Sequence, residues 1–268
     1  MRDNTIYTEE MNKSIWDKAF FMDKIQTAKC VIDFGCADGA MIRTLAPLFP
    51  SVDFFGYDID NDMISRAEQA LGNNRPWNVT FWRGNELPQM VQYIKDHYYE
   101  TTDEFGSAIC LNFSSVLHEV FSFNNFNTIK YIIKELNPKY ISIRDMYFDE
   151  ANYITIPYGQ VEKLFNKMNI NCEFINQFQD KQESVLNNRG LLHFLMKYQW
   201  IDNGWEEELD ENYFSWDIET FRKIIGQSYK VIYENHYTLP YLVEQWQPYF
   251  FQPNWHTHAQ FILVKFNQ

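Results

Sequence analysis

The sequence predicts an α/β fold, a seven-stranded sheet that is mostly parallel with helices on its faces, and three observations carry that prediction. Apolar strand runs alternate with helix-period runs from the N-terminal end to Asp145, as parallel strands joined by crossover helices require. The first strand runs directly into the small-residue turn Gly35-Cys36-Ala37-Asp38-Gly39, and the second ends on an isolated acid, Asp58. The last two strand runs come only near the end of the chain, so a long segment without strand character separates them from the rest.

Each element follows from local pattern. Met11, Ile15, Ala19 and Met22 recur at helical spacing and predict an amphipathic helix ahead of the first strand, Cys30 to Phe34. Met41, Ile42, Leu45 and Leu48 mark a helix closed by Pro47 and Pro50. Strand two is Val52 to Tyr57. The helix carrying Met63, Ile64, Ala67 and Leu71 follows, with Asp60 or Asn61 as N-cap and Gly72 as its stop. Strand three is Val79 to Trp82 and strand four Ala108 to Phe113. The helix of Phe126, Ile129, Ile133 and Leu136 ends at Asn137-Pro138, and strand five, Tyr140 to Ile143, runs into Arg144-Asp145. Phe221, Ile224 and Ile225 lie on a helix that Gly226 terminates; Lys230 to Tyr237 and Ala259 to Phe266 complete seven strands.

The turn after strand one indicates the ligand class. Gly35 and Gly39 allow backbone N–H groups to approach a ligand closely, and an acid at the end of strand two suits a ribose diol. A dinucleotide turn reads G-x-G-x-x-G and receives a pyrophosphate, whereas this one reads Asp33-x-Gly35-x-Ala37-x-Gly39 and opens with a carboxylate that repels phosphate and suits an ammonium group. On these residues the segment resembles the class I S-adenosylmethionine-dependent methyltransferases, whose first motif is Asp/Glu-x-Gly-x-Gly-x-Gly, with Ala37 in place of the middle glycine.

The resemblance implies a Rossmann-like sheet with an antiparallel last strand, S-adenosylmethionine as cofactor, and a core of residues 1–146 and 217–268. Residues 147–216 are then a helical insertion, with Val161, Leu164, Phe165 and Met168 and again Leu191, Leu192, Leu195 and Met196 at helical spacing, a lid that helps form the acceptor pocket. Asp33, Gly35, Cys36, Ala37 and Gly39 are expected to hold the methionine end of the donor, Asp58 the ribose, and Ile59 and Trp82 to wall the adenine. The family places an Asp after strand three for the adenine amine; here Asn85 or Glu86 takes that place. Asn112 is expected at the cofactor and Ser114 at the acceptor.

Methyl transfer needs a base only when the acceptor starts protonated. The loop after strand four, Ser114-Ser115-Val116-Leu117-His118-Glu119, points over the carboxyl edge of the sheet, so His118 with Glu119 is the candidate catalytic pair. A purely structural role for His118 stays open. Arg144-Asp145 is expected as an ion pair at the active rim in contact with substrate. His256 and His258 share one face of the last strand, but no third ligand accompanies them, so no metal site is expected.

Composition bounds the partners. The net charge is −13, with 23 Lys and Arg against 36 Asp and Glu, and the insertion holds twelve acids against five bases. That balance favours a small-molecule acceptor over nucleic acid without excluding the latter, and the Asn-Pro-Pro motif of base methyltransferases is absent after strand four. Trp200, Trp205, Tyr213, Phe214 and Trp216 are expected to form the core of the insertion. Cys30, Cys36, Cys110 and Cys172 form no C-x-x-C pair, the N-terminal residues lack an apolar leader, and no run of about 18 apolar residues occurs. A cytoplasmic protein outside the membrane is therefore expected, its oligomeric state open. The sequence reading is a methyltransferase acting on an O or N atom of a small molecule; RNA or protein methylation, or a non-catalytic cofactor-binding scaffold, are the alternatives.

Overall fold

The computed structural model describes residues 5, 9, 12–72, 75–98, 108–226, 228–249 and 255–266. In chain order the elements are α1 (Ile15–Lys18), β1 (Cys30–Phe34), α2 (Ala40–Leu45), β2 (Asp53–Asp58), α3 (Asn61–Leu71), β3 (Val79–Arg83), α4 (Leu87–Tyr98), β4 (Ile109–Ser114), α5 (Leu117–Ser122), α6 (Phe126–Leu136), β5 (Tyr140–Met146), α7 (Tyr158–Met168), α8 (Cys172–Lys181), α9 (Asn188–Tyr198), α10 (Trp205–Glu208), α11 (Ile218–Ile225), β6 (Tyr229–Tyr237), α12 (Pro240–Trp246) and β7 (His258–Lys265). The sheet order is β3-β2-β1-β4-β5-β7-β6. β1 to β5 pair in parallel, and β7 runs antiparallel to both β5 and β6.

Successive residues of β1 feed opposite faces, as the two-residue period of a strand dictates. Ile32 packs with Phe55, Leu111 and the buried stripe Leu87, Met90, Val91 and Ile94 of α4. Val31 packs with Phe54 and with Met41, Ile42 and Leu45 of α2 on the other side. Because both faces are covered, the inner strands read as continuous apolar runs, which is why the bounds of β1, β2 and β4 match the sequence expectation to within a residue, whereas β5 runs on through Arg144 and Asp145 to Met146.

Helix ends follow their predicted caps. The Asp60 carboxylate accepts from the N–H groups of Asp62 and Met63, and Asn137 closes α6 in the left-handed region at φ 47°. The helices α4, α5, α8 and α12 escaped the sequence reading, α5 within a stretch expected to be a loop. The N-terminal helix is shorter than its periodicity suggested, four residues at Ile15–Lys18, and Met11 lies outside the described residues.

A third cluster of buried side chains sits off the sheet. It joins Phe148, Phe165, Phe178, Phe194, Trp205, Tyr213 and Phe214 with Leu239, Leu242 and Trp246 from the β6–β7 connection. The insertion thus shares its core with α12. Trp216 departs from expectation: it packs against Phe261 and the main sheet, with its indole N–H donating to the Met146 carbonyl at 2.8 Å.

Strand order reverses between β1 and β4, so the loops leaving their carboxyl ends diverge and open a crevice.

Candidate cofactor and acceptor site

That crevice holds a cavity of about 430 Å³, within the range of small-molecule sites. Asp33, Gly35, Cys36, Ala37, Asp58 and Ile59 border it, as the sequence predicts, together with Ser114 and Glu119 from beyond β4. Gly39 does not border it but starts α2 at φ 69°, where an added Cβ would stand 2.4 Å from the Phe81 ring. The turn is tied to Asp58 directly: Ala37, at φ 47°, donates its N–H to Asp58 Oδ2 at 2.7 Å, while the N–H of Asp60 reaches Oδ1 at 2.9 Å. Burial raises the Asp58 carboxyl above its usual range.

Parallel register sets Asp33 opposite Asn112. The Asn112 amide donates to Asp33 Oδ1 at 2.8 Å. Asn112 is fully buried, does not border the cavity and holds Asp33 in place from behind it. Burial pushes Asp33 up to about 6, against the Asn112 hydrogen bond and the charge of Lys18. Lys18, absent from the sequence expectation, borders the same cavity from α1. Burial and then Arg144 lower its ammonium to about 8, with Asp33, Asp38 and Asp145 opposing. A lysine in a short amphipathic segment reads as solvent-facing, so only the packing of α1 over the crevice reveals it.

The residues expected at the adenine amine are Asn85 and Glu86. Neither borders the cavity; the chain after β3 folds into a 3₁₀ turn, and the Glu86 carboxylate is spent on the Arg83 N–H at 2.8 Å. Trp82 also lies away from the cavity, packed against Tyr93, whereas Ile59 borders it and is 74% exposed.

Beyond β4, α5 carries His118 and Glu119. His118 is 3% exposed, and its Nδ1 meets Asp145 Oδ1 at 2.8 Å. Asp145 also accepts from the N–H groups of Leu117, His118 and Met146, so its carboxylate is fixed. The other ring nitrogen, Nε2, stands 3.9 Å from Glu119 and 3.8 Å from Glu211 of the insertion. Burial alone would lower His118, but the Asp145 charge and hydrogen bond, then Glu211 and Glu119, outweigh it and hold the imidazole at about 10. Burial pushes Glu119 up to about 7, with His118 opposing.

His118 does not border this first cavity. It borders a second, smaller one of about 60 Å³ between the sheet and the insertion, with Ser115, Arg144, Glu211, Tyr213 and His258. The insertion is laced to α5 there: Ser215 Oγ donates to the His118 carbonyl at 2.8 Å, and the Asn212 N–H donates to Ser122 Oγ at 2.9 Å.

Arg144 and Asp145 are not an ion pair. Neighbours on a strand point to opposite faces, and Arg144 Nε donates to Asp17 of α1 at 2.6 Å while Nη1 donates to Ser115 Oγ at 2.7 Å. Tyr237 and Gln260 complete the ring around Asp17. The two histidines of the last strand also separate: His256 precedes β7 and faces His236, whereas His258 is buried with Nδ1 against Thr257 Oγ1 at 2.8 Å.

Comparison with known proteins agrees with this geometry. Residues 27–102, which span β1 to β3 and α4, match a family described as putative methyltransferase. No curated protein matches the chain. The chain is similar in fold to the methyltransferase domain of bacterial CtHen1-CN, with 12% identity over 95% of this chain and 99% of that one at a TM-score of 0.50. It is also similar to TnmH, with 9% identity over 97% of this chain and 57% of that one at a TM-score of 0.52. Among the described residues no helix is long and apolar enough to cross a membrane. The strand order with its antiparallel β7 is the fold of the class I S-adenosylmethionine-dependent methyltransferases, and the family match covers the acid-led turn at the switch point.

Proposed function

We propose that the chain binds S-adenosylmethionine in the crevice between β1 and β4 and methylates an O or N atom of a small-molecule acceptor. The observation that carries the donor assignment is the pair of carboxylates, Asp33 and Asp58, bordering one cavity across a left-handed turn. Asp33 suits an ammonium group and Asp58 a diol, and Lys18 offers a cation for the donor's carboxylate. Bound there, the donor supplies an already activated methyl on a sulfonium.

What remains for the protein is alignment, a positional task with a ceiling of roughly 7–11 kcal/mol. Residues 1–146 and 217–268 serve as the donor-binding core and 147–216 as a lid over the acceptor. Ser114 and Glu119 border the donor cavity from beyond β4 and are assigned to the acceptor, with His118 beside Glu119 and reaching Glu211 of the insertion. Asn112, Arg144 and Asp145 act from behind, each through the neighbour it fixes.

A small acceptor is supported by the net charge of −13 and by the acids of the insertion, which would repel a phosphate backbone. The test is methyl incorporation from labelled donor into three separate pools: small hydroxyl and amine compounds, RNA, and protein. Incorporation into the small-molecule pool is expected. Incorporation confined to RNA or protein would move the acceptor class, and none in any pool, with donor bound, would favour a scaffold role.

A further inference from the structure

We propose that His118, Glu119 and Glu211 form a binding site for one divalent first-row metal ion, set between the donor cavity and the lid cavity. Each residue offers one ligand atom, and the three atoms lie within 4.8 Å of one another. Two ligands held at about 2.1 Å from one ion are roughly 3.0 Å apart when adjacent and about 4.2 Å apart when opposed. The Nε2 separations of 3.9 Å and 3.8 Å from the two carboxylates fall inside that span.

A second observation is independent of the acids. Asp145 holds His118 by Nδ1, and Asp145 is itself pinned by three backbone N–H groups. A carboxylate on the far nitrogen fixes the tautomer with the proton on Nδ1 and aims the lone pair of Nε2 outward, as outer-shell carboxylates do for metal-bound imidazoles. Here that lone pair is aimed at the space shared with Glu119 and Glu211.

The donor set selects the ion. One imidazole with two carboxylates is poorer in oxygen than calcium needs and harder than copper prefers, which leaves manganese, iron(II) or zinc. The competing arrangement is a protonated His118 joining the same carboxylates with no metal.

The location gives the ion a task, and this part rests on the methyltransferase reading above. Glu119 borders the donor cavity while His118 and Glu211 border the lid cavity, so an ion among them lies where an acceptor would enter. Such an ion binds a hydroxyl oxygen and lowers its pKa, so the acceptor class narrows to alcohols, phenols or sugar hydroxyls. The hydroxyl proton leaves to solvent. An O–CH₃ bond then forms as the S–CH₃ bond breaks, the bonding pair stays on sulfur, and alkoxide plus sulfonium become a neutral ether and a thioether.

The test is titration of the full-length, chelator-treated protein with Mn²⁺, reading the loss of the free-ion paramagnetic resonance signal. One ion per chain is expected. Glu211→Gln, which lies on the insertion and leaves the sheet untouched, and His118→Ala should each weaken binding at least tenfold, and Asp145→Asn by roughly 10–100-fold. S-adenosylhomocysteine affinity, measured on every sample, reports folding and the donor reading separately from the metal. Wild-type protein that binds S-adenosylhomocysteine but takes up no Mn²⁺, or Glu211→Gln that binds Mn²⁺ like wild type, would overturn the proposal in favour of the protonated cluster.

Discussion

Asp58 and Ala37, on the second strand and in the turn after the first, are joined by a 2.7 Å hydrogen bond from the Ala37 N–H to the carboxylate. The acid therefore has two duties, holding the turn in its left-handed shape and presenting its remaining lone pairs to the cavity. Asp58→Ala should cost about 2–4 kcal/mol in S-adenosylhomocysteine affinity, the size of two charged hydrogen bonds. Titration calorimetry checks it, and a change under threefold would remove Asp58 from the ribose role.

Gly39 supplies the clearest steric prediction. At φ +69°, with Phe81 only 2.4 Å from an added Cβ, Gly39→Val meets both backbone strain and a clash. The variant should lose the thermal shift that S-adenosylhomocysteine gives the wild type and should melt lower without ligand. An unaltered shift would mean that the turn does not shape the donor cavity.

Asp33 predicts a pH dependence. Burial raises it from its usual 3.8 to about 6, so the folded state binds a proton that the unfolded state has released between those values. Its contribution to stability is full below pH 4 and declines as pH rises through 6. Ligand binding runs the other way, because an ammonium group is held by the ionised form. Lys18 from α1, Asn112 from β4 and Asp58 from β2 act on Asp33, and of the charges Lys18 lowers its pKa while Asp58 raises it. Affinity for S-adenosylhomocysteine should therefore climb between pH 5 and 7, Lys18→Met should move the midpoint upward, and Asp33→Asn should flatten the curve. Calorimetry across that window reads all three.

Most of the sheet was legible because strands covered on both faces must be apolar throughout, and the donor turn was legible because only certain residues permit its backbone. Other parts depend on contacts remote in sequence. Glu211 meets His118 only because the insertion folds back over α5, and no local pattern marks it. Lys18 enters the donor cavity through the placement of one short helix. Asn85 and Glu86 lie off the cavity because the direction of a loop after a strand is set by its caps, here the Glu86 to Arg83 bond, and not by its order in the chain. The helix α4 escaped notice although Leu87, Met90, Val91 and Ile94 fall at helical spacing, with Pro88 at a position in the first turn where proline is tolerated.

His118 joined to a fully buried Asp145 also bears on stability. Removing one member leaves the other charged and unpaired inside the protein, so His118→Ala should cost about 3–5 kcal/mol of folding free energy. At roughly 2–4 °C per kcal/mol for a chain of this size, the melting temperature should fall by at least about 6 °C. Thermal denaturation at neutral pH reads the change, and a fall under about 2 °C would mean that the pair is not held as described.

If the crevice between β1 and β4 takes a methyl donor, ligand-dependent melting of the wild-type chain reports it. S-adenosylhomocysteine at about 100 times its dissociation constant should stabilise the protein by about 2.7 kcal/mol and raise its melting temperature, while NAD should leave it unchanged. A rise with NAD and none with S-adenosylhomocysteine would contradict the account.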